Sequence, residues 1–101
     1  METIERIQHY EDLLDTVAPV LKDLETSLDR FDEVQDAVQE LSGYYGSEEW
    51  HADLAADEAG CLPEDLKRGV LSEDGIYDVL SSHYALTVRL LDTVSAILKN
   101  R

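Results

Sequence analysis

Apolar residues recur along residues 3–41 with the alternating three- and four-residue spacing of one helix face. Ile7, Leu14, Leu21 and Leu28 form one row, and Tyr10, Val17, Leu24, Phe31 and Val38 fill the alternate position. This spacing predicts a single amphipathic helix that packs lengthwise on other helices. At 1.5 Å per residue it would be roughly 55 Å long. Gln35 interrupts one core position, and Val34 and Leu41 shift the stripe there. Pro19 falls on the polar side, where bending toward the core absorbs the lost backbone hydrogen bond. A kink near residues 15–19 is therefore predicted, with a break into two helices as the alternative.

The middle of the chain has a different grammar. Ser42-Gly43 closes the first helix, with Gly43 as a left-handed C-cap. Ser47 caps a second helix that carries Glu48 and Glu49 in its first turn, runs to about Ala59 and stops at Gly60. Pro63 opens a short third helix with Leu62 and Leu66 facing inward, and Gly69 closes it. Ser72 caps the last helix, with Glu73 and Asp74 in its first turn. In that helix Ile76, Tyr77, Leu80, Tyr84, Leu91, Val94 and Leu98 make one stripe, while Val79, Leu86, Val88, Leu90 and Ile97 lie on other faces. A helix apolar nearly all round is buried on more than one side. Either the middle segment or a second subunit must supply the additional cover.

The predicted fold is all-α: two long antiparallel helices with a compact two-helix insert between them, bundle-like. It is one helical domain over residues 1–101: the kinked helix 1–41, the insert 42–72 and the C-terminal helix 73–101. Trp50, the only tryptophan, is predicted to plug the end of the hairpin.

A hydrophobic content of 44% with clear periodicity argues against disorder, even at net charge -15. The charge is uneven. Residues 1–41 sum to -9, residues 42–75 to -7 and residues 76–101 to +1. An acidic chain is repelled by nucleic-acid phosphate and anionic lipid, so neither nucleic acid nor membrane is an expected partner. The charge serves solubility first. The ridge Glu25, Asp29, Asp32, Glu33, Asp36 and Glu40 could also meet a basic protein. A single cysteine excludes an internal disulfide framework and a cysteine-cluster zinc site, and it suits a reducing compartment. No secretory signal and no membrane-spanning run is present, which makes the cytoplasm the default location.

Candidate chemistry is sparse. Glu48-x-x-His51 has the spacing by which carboxylate-bridged di-iron bundles project two ligands from one helix face. Such a site needs two copies, and this chain has one. With Asp53, Asp57 and Cys61 it offers an acidic cluster suited to a hard divalent cation; the bland reading is a solvated helix start. Cys61 has His51 upstream and His83 downstream, but no signature of a nucleophile–base pair accompanies it. Tyr44, Tyr45 and Trp50 are candidates for an aromatic recognition patch. Lys67 and Arg68 are candidates for binding an anion or for pairing with nearby acids. No cofactor and no metal is predicted.

The run Tyr44-Tyr-Gly-Ser-Glu-Glu-Trp50, then Asp57-Glu-Ala-Gly60, then Leu62-Pro-Glu-Asp-Leu-Lys-Arg-Gly-Val-Leu-Ser-Glu-Asp-Gly-Ile-Tyr-Asp78, resembles the domain-of-unknown-function 4298 family of small bacterial proteins. The resemblance covers nearly the whole chain and implies an all-helical fold. It brings no assigned activity. The function expected is a non-catalytic protein-interaction module, homodimeric through the C-terminal helix around Val88, Leu91 and Leu98. The alternatives are a small metal-dependent hydrolase using the Glu48–Asp57 carboxylates, or an acidic mimic or inhibitor of a basic protein.

Overall fold

A computed structural model describes residues 2–101. The protein is all-α, with no strand among the described residues. Four α-helices follow one another: α1 Thr3–Glu33, α2 Gln35–Tyr44, α3 Glu48–Glu58 and α4 Asp78–Lys99. A 3₁₀ turn at Gly69–Leu71 and a π turn at Glu73–Tyr77 lie between α3 and α4. The chain divides into two compact units, Met1–Asp36 and Ala37–Arg101.

The first unit is built on α1. Glu2 caps it, its carboxylate accepting from the Glu5 N–H at 2.8 Å. The helix runs unbroken through Pro19 and ends at Glu33. The interruption lies at Val34 instead, short of the predicted end at residue 41. The Val34 N–H turns to the Phe31 carbonyl at 3.3 Å. The Gln35 side-chain amide donates to that same carbonyl at 2.9 Å. A side chain thus takes up an acceptor that a continuing helix would serve from its backbone. The residue that breaks the heptad pattern is the one that divides the helix.

The second unit is organised around α3. Ser47 caps it as its sequence predicts, accepting from the Trp50 N–H at 3.1 Å. Its far end closes in a Schellman motif. The Cys61 N–H reaches the Ala56 carbonyl and the Gly60 N–H the Asp57 carbonyl, both at 3.0 Å. This requires Gly60 to sit at φ +72°, which a side chain would disfavour. The other left-handed glycine is Gly46, at +79°. Gly43, predicted to take that role, is inside α2.

Residues 63–68 form turns where a short helix was predicted. Leu66 N–H meets the Pro63 carbonyl at 3.2 Å, and the chain then returns to α3. Six residues cannot sustain a helix by propensity alone, and Arg68 draws the segment back. The second helical element of the insert is therefore the 3₁₀ turn. Ser72 caps the element that follows, accepting from the Gly75 N–H at 3.1 Å. That element is the π turn, which leads directly into α4. Ile76, in the π turn, is 3% exposed and is the one buried residue among those described. Leu41, Leu71 and Leu80 are half-buried.

Candidate functional site

Three side chains of α3 tie the second unit together. Asp53 and Asp57 are four residues apart and so share one face of the helix. The Tyr44 hydroxyl, at the end of α2, donates to Asp53 Oδ2 at 2.6 Å. Arg68, on the returning segment, pairs through Nη1 with Asp57 Oδ1 at 2.7 Å. Its Nη2 also donates to the Glu64 carbonyl at 3.3 Å. Trp50 donates its indole N–H to the Val70 carbonyl at 2.9 Å. One short helix therefore fixes the chain before it and the chain after it.

The aromatic residues gather at the start of α3. The Tyr45 ring meets the Trp50 ring edge-on at 5.0 Å and lies 6.4 Å from Tyr77. His51 stands edge-on to Trp50, also at 5.0 Å. The hydrogen bond to Asp53 pushes the Tyr44 hydroxyl above its ordinary pKa, and the nearby Asp53 and Glu49 charges act in the same direction. A neutral phenol that donates to a carboxylate resists losing its proton.

Of the five residues singled out from sequence, Tyr44, Tyr45, Trp50 and Arg68 are brought together around α3 by these contacts. Lys67 is exposed and lines a cleft beside Leu41, Val70, Ile76 and Val79. A second, open groove lies between the end of α2 and the start of α3. It carries Glu40, Glu48 and Glu49 beside Leu41 and Tyr44. Among the described residues, no three of His, Cys, Asp and Glu converge in a way that could hold a metal ion. Asp53 and Asp57, predicted as potential ligands, are engaged with Tyr44 and Arg68. Cys61 is an exposed free thiol.

Sequence reasoning missed the partners of Tyr44 and Arg68. Their i,i+4 spacing on α3 is the signal that could have found Asp53 and Asp57. It also missed the approach of the 3₁₀ turn to the π turn. A Cβ at Gly75 would collide with the Gly69 carbonyl and lie 2.7 Å from its carbon.

Large apolar side chains are exposed along two helices, on α1 from Ile4 to Leu28 and on α4. From Leu86 to Leu98 its large apolar side chains are exposed, Leu91 at 69%, Leu98 at 64% and Val88 at 41%. None of the described helices is long and apolar enough to cross a membrane. Comparison with family models matches residues 7–93 to Domain of unknown function (DUF4298). No curated protein and no solved structure matches the chain.

Proposed function

The chain belongs to the DUF4298 family, and from that premise we propose that it is a cytoplasmic, non-catalytic interaction module that works as a homodimer through α4. The observation that carries this reading is the exposed apolar surface from Leu86 to Leu98. Isolated exposed apolar residues are ordinary on soluble proteins, whereas a contiguous run of them marks an interaction site. The ties around α3 suit a scaffold role. They engage Asp53, Asp57, Arg68 and the Trp50 indole in holding the second unit together. The single exposed thiol suits a reducing compartment.

Leu91→Asp tests the reading, because it places a charge on the proposed contact at a site exposed within the single chain. For the wild type, folding is coupled to association, so the melting temperature rises with protein concentration. The Leu91→Asp protein should lose that rise and keep its helical content. A wild-type melting temperature independent of concentration would remove the reading.

A second reading, binding of a basic protein, draws on the groove with Glu40, Glu48 and Glu49 and on the net charge of -15. Capture of a basic partner from native extract, weakened by salt and by Glu48→Gln with Glu49→Gln, supports it. Capture insensitive to both opposes it.

A further inference from the structure

We draw no further inference here: the strongest candidate, the exposed apolar row along α1 from Ile4 to Leu28, carries nothing, because nothing in the structure shows what covers it.

Discussion

Trp50→Ala removes the side chain that joins α3 to the returning chain, and its cost can be worked from the contacts. The indole N–H donates to the Val70 carbonyl at 2.9 Å, a bond worth about 0.5–1.5 kcal/mol net. The edge-on contact with Tyr45 at 5.0 Å adds about 0.5–1.5 kcal/mol. Deleting a fully buried tryptophan costs about 3–5 kcal/mol. Trp50 is half-buried, which reduces that figure to about 2–3 kcal/mol. Against a total stability of about 5–15 kcal/mol, the loss is large and should lower the melting temperature by roughly 10–20 °C. Trp50→Phe separates the two contributions. It keeps a ring beside Tyr45 but removes the donor to Val70, and should cost about 1 kcal/mol. Urea titrations followed by circular dichroism give the three midpoints, expected in the order wild type, Trp50→Phe, Trp50→Ala. Coincident midpoints, together with the emission of a water-exposed indole in the wild type, would refute the reasoning.

Gly75→Ala sets a Cβ against the Gly69 backbone and should cost about 1–3 kcal/mol by overpacking. Gly43→Ala, in α2 with open space around it, should instead stabilise by about 0.5–1 kcal/mol; thermal melts of both variants check the opposite signs. The Tyr44 hydroxyl has a raised pKa in the folded protein, so the stability from its bond to Asp53 is fully present below the unfolded phenol value of about 10 and is lost as pH rises through the folded value. Tyr44→Phe should remove that alkaline loss. In an absorbance titration of tyrosinate, Asp53→Asn should lower the Tyr44 midpoint.

The parts of the fold legible in the sequence are those decided by neighbours along the chain. Ser47, Gly60 and Ser72 were predictable because capping is local chemistry: an oxygen within three residues of an orphan N–H, or a glycine where the helix must reverse. The heptad of α1 was legible for the same reason. The break at Val34 was not. Pro19 is the louder signal in the sequence, yet its missing N–H is absorbed, while the quieter Gln35 amide on the Phe31 carbonyl coincides with the interruption. Residues 63–68 read as a helix because Pro63 and Gly69 are correct punctuation for one. The ion pair between Arg68 and Asp57 crosses eleven positions, and no local pattern announces it. The Tyr44–Asp53 bond is hidden in the same way, spanning the turn at Gly46. For the candidate site, the residue types were recognisable and their partners were not, because those partners are chosen by the fold.

The central claim is that the protein acts through self-association on α4, and mass in solution tests it most directly. Light scattering across a concentration series reaching micromolar values is predicted to give twice the 11.4 kDa of the chain, falling to 11.4 kDa for Leu91→Asp. A wild-type mass of 11.4 kDa at every concentration would contradict the account.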